Sequence, residues 1–276
     1  METRSTVAIL GAGAMGEALA SGLLAVGWPA DDLVLVARRE ERRREVEART
    51  GVTCILDPVE AVEGRDIVVV AVKPGDVGGL LGQVAGAIRP DQAVISLAAG
   101  VPIAIFERAM PGVPVIRAMP NTPAQISEAV TALAGGSHAD ELAMARAEAV
   151  LSAVGDTIVL DEALLDAVTA VSGTGPAYVF LLAEALVEAA IREGIPWHAA
   201  ERLVARTLRG AGMLLAGSDL SPARLRAQVT SPGGTTAAAV HVLEERGFRA
   251  LVEDAVRAAA ARSREMGKRA GPADLP

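Results

Sequence analysis

Val7-Ala8-Ile9-Leu10-Gly11-Ala12-Gly13-Ala14-Met15-Gly16 opens the chain with an apolar run, a glycine-rich turn and the start of a helical pattern at Ala18, Leu19, Leu23 and Val26. Strand, G-x-G-x-x-G and helix, in that order, form the context in which the motif has a mechanical meaning. Gly11 allows the tight turn, Gly13 lets a pyrophosphate approach the backbone, and Gly16 lets the helix pack on the strand. Gly11, Ala12, Gly13, Ala14, Met15 and Gly16 are therefore read as a dinucleotide-binding loop.

Outward from this loop, further strand-type runs occur at 33–36, 52–55, 67–72, 93–97, 113–117 and 130–133, separated by helical or loop stretches. Such alternation predicts an α/β fold with a Rossmann-like, doubly wound parallel sheet. Ligands of open α/β sheets lie outside the carboxyl ends of the strands. That rule brings Arg38 and Arg39, then Ala71-Val72-Lys73-Pro74, then Ala98-Ala99, and then Asn121 to a cofactor crevice. An acidic residue after the second strand would accept the ribose 2′-hydroxyl of NAD, whereas an arginine meets the 2′-phosphate of NADP. Asp31 and Asp32 precede the strand, at its wrong end, so Arg38 favours NADPH, with NADH as the alternative reductant. Arg42, Arg43 and Arg44, interleaved with Glu40, Glu41 and Glu45, read as a solvated helix face. Lys73 stands either for a cofactor contact or for a surface lysine beside a proline turn. Asn121 stands either for a nicotinamide-side hydrogen bond or for a turn-fixing residue.

From about Leu160 no β-type runs remain, and helical periodicity covers 176–193, 198–215, 221–228, 234–245 and 248–266. The chain divides accordingly into a nucleotide-binding domain, 1–160, and an all-α domain, 161–276, with a polar tail from Gly267. The helix from 177 to 191 is apolar nearly all round and must be covered on more than one side. A domain of this size does not hide it alone, so it is assigned to a subunit interface and the protein to a homodimer or higher homo-oligomer. Glu184 and Glu188 interrupt the apolar stretch 171–191, which argues against a membrane span.

Between two of these helices lies Val229-Thr230-Ser231-Pro232-Gly233-Gly234-Thr235-Thr236. Ser231 or Thr230 is placed to cap the following helix and Pro232 to enter its first turn, while Gly233 and Gly234 leave backbone N–H groups open. A helix start of this kind holds a carboxylate or phosphate.

The composition is 51% hydrophobic but only 2% aromatic, so the core is built from Ala, Val, Leu and Ile. A net charge of −8 without a basic block argues against nucleic acid. Cys54 is the single cysteine, which excludes an internal disulfide and a multi-cysteine zinc site. The three histidines, His138, His198 and His241, have no metal-ligand spacing and read as packing or surface residues, so no metal is expected. With no signal-peptide pattern at the start, a reducing cytoplasm is the expected location.

Taken together, Gly11 to Gly16, Ala71-Val72-Lys73-Pro74, Asn121-Thr122-Pro123, Val171-Ser172-Gly173-Thr174-Gly175-Pro176-Ala177-Tyr178 and Val229 to Thr236 make the chain resemble the pyrroline-5-carboxylate reductases, which carry out the last step of proline biosynthesis. The last two motifs are specific to that family. The resemblance implies NADPH on the N-terminal domain and Δ1-pyrroline-5-carboxylate at a dimer interface of the helical domains. It implies that Ser231 and the amides of Gly233, Gly234, Thr235 and Thr236 hold the substrate carboxylate, that the Thr236 hydroxyl meets the ring nitrogen, and that Gln228 and Arg38 lie near the cofactor. Thr236 and Ser231 are thus the candidate catalytic pair. Ala37 and Arg38 depart from the small polar residues usual after the second strand, and Asp57-Pro58 from an asparagine near the adenosine ribose. Two rivals remain. A 3-hydroxyacid dehydrogenase would carry a catalytic lysine in its helical half, where only Lys268 occurs here. A non-catalytic NADPH sensor would need no clamp at Ser231 to Thr236.

Overall fold

The computed structural model describes residues 5–269 of the chain. The strands are β1 (Val7–Leu10), β2 (Leu33–Val36), β3 (Cys54–Ile55), β4 (Ile67–Val70), β5 (Ala93–Ser96), β6 (Val115–Met119), β7 (Ala129–Gly135) and β8 (Gly155–Val159). Between them run α1 (Ala14–Ala25), α2 (Glu40–Thr50), α3 (Pro58–Val62), α4 (Val77–Val84), α5 (Ile103–Ala109) and α6 (Glu141–Leu151). After β8 come α7 (Leu165–Val168), α8 (Gly175–Arg192), α9 (Trp197–Ala216), α10 (Pro222–Gln228), α11 (Thr235–Glu245) and α12 (Phe248–Arg269). Two compact units result: one comprises the chain up to Thr174 and again from Ala258, the other Gly175–Arg257.

In the first unit the eight strands form one sheet in the order β3-β2-β1-β4-β5-β6-β7-β8. The order reverses between β1 and β4, which is where a doubly wound sheet opens its ligand crevice. Val7, Ile9, Leu33, Leu35, Ile67 and Val69 point into one hydrophobic layer, and Ala8, Leu10, Val34, Val36, Val68 and Val70 into the other. A strand buried on both faces has no polar side, which is why these runs are continuously apolar rather than alternating.

Two features depart from the expected sheet. β7 pairs antiparallel with β6, and β8, parallel to β7, extends this reversed portion to the edge. The link from Met119 to Ala129 holds only one short 3-10 turn, Thr122–Ile126, too little for a crossover, so β7 must return antiparallel. β8 was not anticipated: it opens with Gly155-Asp156, two residues depleted in strands, and Ile158 and Val159 are half exposed at the sheet margin. β3 covers only the last two residues of the expected 52–55 run.

α12 continues to Arg269, past the expected end at Met266, and the remainder of the polar tail lies outside the described residues. Within the first unit, Asp166 Oδ1 accepts from Ser263 Oγ at 2.7 Å and from Arg117 Nη2 at 3.2 Å, while Glu162 Oε1 accepts from Arg117 Nη1 at 3.3 Å and from Ile103 N at 2.8 Å. Arg117 is buried, so this cluster satisfies a charge inside the sheet layer and fastens the end of α12 to it.

The Val171 to Tyr178 motif is where α7 passes through a π-turn, Thr169–Gly173, into α8. Pro176 has no N–H to donate one turn back, and the wider turn upstream absorbs the break. Thr174 closes it with N–H and Oγ1 both donating to Thr169 O, at 2.8 and 2.9 Å.

Candidate active site

At the β1 tip, Gly11 has φ +125°, and a Cβ there would stand 2.7 Å from Ala71 O. A Cβ on Gly16 would strike the Gly11 carbonyl, whereas one on Gly13 meets nothing within 4 Å. The three glycines therefore divide into turn, helix packing and open approach, as their spacing implies. Gly11 N and Ala12 N both donate to Val36 O, at 3.1 and 2.8 Å, tying the loop to the end of β2. The N–H of Gly13 and those of the first turn of α1 receive no side-chain cap, leaving donors and the positive end of the helix dipole for an anion.

Neighbouring strand tips supply the rest of the crevice. Ala37 is buried, its N–H donating to Ile55 O at 3.0 Å, so the departure from small polar residues there serves sheet packing. Arg38 and Arg39 are exposed, and Arg38 Nη2 pairs with Asp76 Oδ2 at 2.6 Å. Asp76 follows Ala71-Val72-Lys73-Pro74, so this ion pair joins the segments after β2 and β4, on either side of β1. Lys73 is exposed, with its carbonyl accepting from Asp76 N at 2.9 Å; Ala98 is buried and Ala99 half-buried beyond β5. Asn121 Oδ1 accepts from Val130 N at 3.1 Å, which fixes the entry to β7 and leaves the amide NH2 as a donor. Asp57 caps α3, Oδ1 accepting from Val59 N at 2.8 Å, which gives this residue a local structural task.

Sequence reading missed Asp76 and Arg42. Arg42 is not on a solvated face: its Nε donates to Ala12 O at 2.7 Å and its Nη2 to Glu17 Oε2 at 2.6 Å. Arg43 likewise reaches Cys54 O, at 3.3 Å, besides Glu40 and Glu47. A charge stripe on one helix cannot disclose a partner twenty-five or more residues earlier in the chain.

In the second unit the expected cap is corrected. α11 begins at Thr235 with Gly234 as N-cap, and neither Ser231 nor Thr230 caps it. Gly234 N donates to Ser231 O at 3.0 Å and Gly233 has φ +69°, so Ser231-Pro232-Gly233-Gly234 is a type II turn with proline and a positive-φ glycine at its centre. Thr230 Oγ1 turns back to Arg226 O at 2.7 Å, closing α10. The hydroxyls of Ser231, Thr235 and Thr236, and the first N–H groups of α11, have no partner among the described residues. A Cβ on Gly234 would collide with Ser231 Oγ, so glycine lets that hydroxyl lie over the helix start. Gln228 is exposed at the end of α10. Glu244 holds the three helices around this turn: Arg249 and Arg226 reach its Oε1 at 2.7 and 2.9 Å. Hydrogen bonding from Arg249, and then from Arg226, lowers its carboxyl to about 2.

Two concavities of about 450 and 370 Å³ are lined by β7, β8 and the turns around α7, the second also by Val171 and Ser172, which open the motif leading into α8.

Comparison with known proteins fits both halves. A pyrroline-5-carboxylate reductase from Mycobacterium tuberculosis is 43% identical over 94% of this chain and 96% of its own. The chain belongs to the pyrroline-5-carboxylate reductases. Its residues 162–266 match the family described as pyrroline-5-carboxylate reductase dimerisation, and residues 6–100 that described as NADP oxidoreductase coenzyme F420-dependent. The reductase structure from Coxiella burnetii superposes with a TM-score of 0.90 at 33% identity, covering 96% of this chain and 99% of that one. A Plasmodium falciparum pyrroline carboxylate reductase solved with NADP bound gives 0.85 at 27%, covering 95% and 98%. As a reductase of this family, the chain pairs a dinucleotide loop with a helical region of the dimerisation type.

Proposed function

We propose that the protein reduces the C=N bond of Δ1-pyrroline-5-carboxylate to L-proline, with NADPH as the preferred reductant and NADH as a weaker one. The observation that carries this reading is the bare start of α11, where unpartnered N–H groups and the Ser231 and Thr236 hydroxyls stand together without any side chain that ionises near neutral pH.

Residues 1–160 serve nucleotide binding, and residues 161–276 serve substrate binding and dimerisation. Gly11 to Gly16 cradle the pyrophosphate, Arg38 and Arg39 take the adenosine 2′-phosphate, and Ala71 to Pro74, Ala98, Ala99, Asn121 and Gln228 complete the cofactor contacts. The open space over Gly13 fits this use, because only a bare backbone lets phosphate oxygens reach N–H groups. When bound, the reduced nicotinamide supplies the hydride that goes to the imine carbon.

Gly233, Thr235 and Thr236 present backbone N–H groups to the substrate carboxylate together with the Ser231 hydroxyl, while Gly234 spends its N–H on Ser231 O to close the turn and contributes bare backbone at the helix start; the dipole of α11 favours that charge. The Thr236 hydroxyl bonds the ring nitrogen. An imine nitrogen is basic enough to arrive protonated, so the protein need only hold that proton in place while the C–H bond forms. Orientation then supplies most of the rate. Charge development is met by neutral donors, which is the chemistry that a motif without His, Lys, Asp or Glu, Val229 to Thr236, can perform.

Self-association belongs to the same reading. α8 buries none of its residues within one chain and leaves Phe180 64% and Leu181 66% exposed, a surface too apolar to stay wet. The run 162–192 is long and apolar enough to cross a membrane by composition alone. Burial against a second copy gives the same residues a partner in water. A cytoplasmic location goes with NADPH chemistry, and recovery of the protein in the soluble fraction of a bacterial host checks it.

The deciding assay is loss of NADPH absorbance with purified protein and pyrroline-5-carboxylate, repeated with NADH and with a 3-oxo acid. Rapid loss with the imine alone is expected. Turnover of the 3-oxo acid instead would move the assignment to a hydroxyacid dehydrogenase, and NADPH binding without turnover would leave a sensor.

A further inference from the structure

The glycine loop is held from two sides, and one holder is a residue outside the motif. Gly11 and Ala12 face β2 through their N–H groups, both donating to Val36 O. The Ala12 carbonyl faces α2 and accepts from Arg42 Nε at 2.7 Å. In a planar trans peptide the C=O and the following N–H point in opposite directions. Fixing Ala12 O toward Arg42 therefore turns the N–H of Gly13 to the other side, where it has no partner among the described residues and where Gly13 has open space.

The Arg42 guanidinium is itself immobilised. Nη2 donates to Glu17 Oε2 at 2.6 Å and Nη1 to Glu45 Oε2 at 3.1 Å, so all three nitrogens are engaged and the side chain is only 25% exposed. Glu17 lies in the first turn of α1, and Arg49 also pairs with it, at 2.9 Å. An unpaired carboxylate there would oppose an anion at the helix start. With both arginines committed, that opposition is neutralised without either of them acting as a phosphate ligand.

We infer that Arg42 is a positioning residue of the dinucleotide site: it sets the Ala12–Gly13 peptide so that the Gly13 N–H is presented to the pyrophosphate, and it does so for either nicotinamide cofactor. The inference rests on the assignment of Gly11 to Gly16 as the pyrophosphate cradle.

Arg42→Met keeps the apolar stem and removes every donor. Dissociation constants of NADPH and NADH, measured by titration for the wild type and the variant, are expected to rise by the same factor, on the order of tenfold. The rate at saturating NADPH should stay within about twofold, and KM for the imine should not move. Arg42→Lys, which keeps the charge and a single donor nitrogen in place of three, should recover part of the affinity. The double variant Glu17→Gln with Arg42→Met separates geometry from charge: affinity that stays low supports peptide positioning, and affinity restored to the wild-type value overturns it. Unchanged cofactor affinity in Arg42→Met, at an unfolding temperature within a few degrees of wild type, also overturns it. Wild-type protein that binds neither cofactor would sink the cradle assignment itself, which the parallel titration reads directly.

Discussion

Arg38 offers a sharp test of cofactor choice, because the structure shows what it must give up. In the free protein its guanidinium pairs with Asp76 at 2.6 Å, with side-chain exposures of 66% and 34%. An ion pair that wet contributes roughly 0–1 kcal/mol. A charge-assisted bond from arginine to a phosphate group is worth about 1.5–3 kcal/mol. Exchanging or sharing one for the other leaves a net gain of about 1–2 kcal/mol, or roughly 5- to 30-fold in affinity at 1.4 kcal/mol per decade. Arg38→Ala should therefore raise the NADPH dissociation constant by about tenfold, while NADH, lacking the 2′-phosphate, changes by less than about twofold. Asp76→Asn should do the reverse for NADPH, because it frees the guanidinium and removes a negative charge beside the phosphate. Both effects should shrink at 1 M salt, where the screening length is about 3 Å. Titration calorimetry with the two cofactors at low and high salt reads all of this. Equal losses of NADPH and NADH in Arg38→Ala would refute the 2′-phosphate role.

Other expectations follow from the same contacts. Thr236→Ala should lower kcat/KM for the imine by roughly 10- to 100-fold, the range for losing a hydrogen bond to a charged group, with NADPH affinity unchanged; steady-state rates at normal efficiency would remove Thr236 from the mechanism. Arg117→Met strips the buried cation from Glu162 and Asp166 and should cost about 3 kcal/mol, lowering the unfolding temperature of the first unit by roughly 6–12 °C; a calorimetric shift under about 2 °C would contradict it. Glu244 is held at about 2 against an ordinary 4.5, so its clasp on α10, α11 and α12 is fully present above pH 4.5 and is lost as the pH falls towards 2. Between those values the unfolding temperature of Glu244→Gln should change less steeply than that of the wild type, and parallel slopes would argue against the clasp.

How far the sequence carries depends on whether a feature is local. The first strand, its glycine loop and α1 are legible because spacing alone fixes which glycine turns, which packs and which stays open, and the steric limits at Gly11, Gly13 and Gly16 match those roles. The antiparallel return of β7 is less so, since it depends on the short path from Met119 to Ala129 rather than on any property of the strand. β8 is nearly invisible, because an edge strand gains little burial and can be written with Gly155 and Asp156. At Ser231 to Gly234 the local reading chose a helix cap where the structure has a turn: Pro232 satisfies either first-turn or turn geometry, and the positive φ of Gly233 decides between them.

The same contrast orders the site. Apart from Arg38, Arg39, Lys73 and Gln228, the residues proposed to touch ligands are backbone groups and short side chains on contiguous motifs, so they can be read from the chain. Those that hold the motifs in shape act across it: Arg42 on Ala12, Asp76 on Arg38, Arg226 and Arg249 on Glu244. A neutral binding motif has no charge of its own with which to orient a ligand, so its performance depends on how firmly its peptides are set. At the glycine loop and at the start of α11 the ionic residues, Arg42 and Glu244 with its two arginines, accordingly stand one contact behind the proposed ligand-facing surface, whereas at the β2 tip Arg38 is itself the proposed donor.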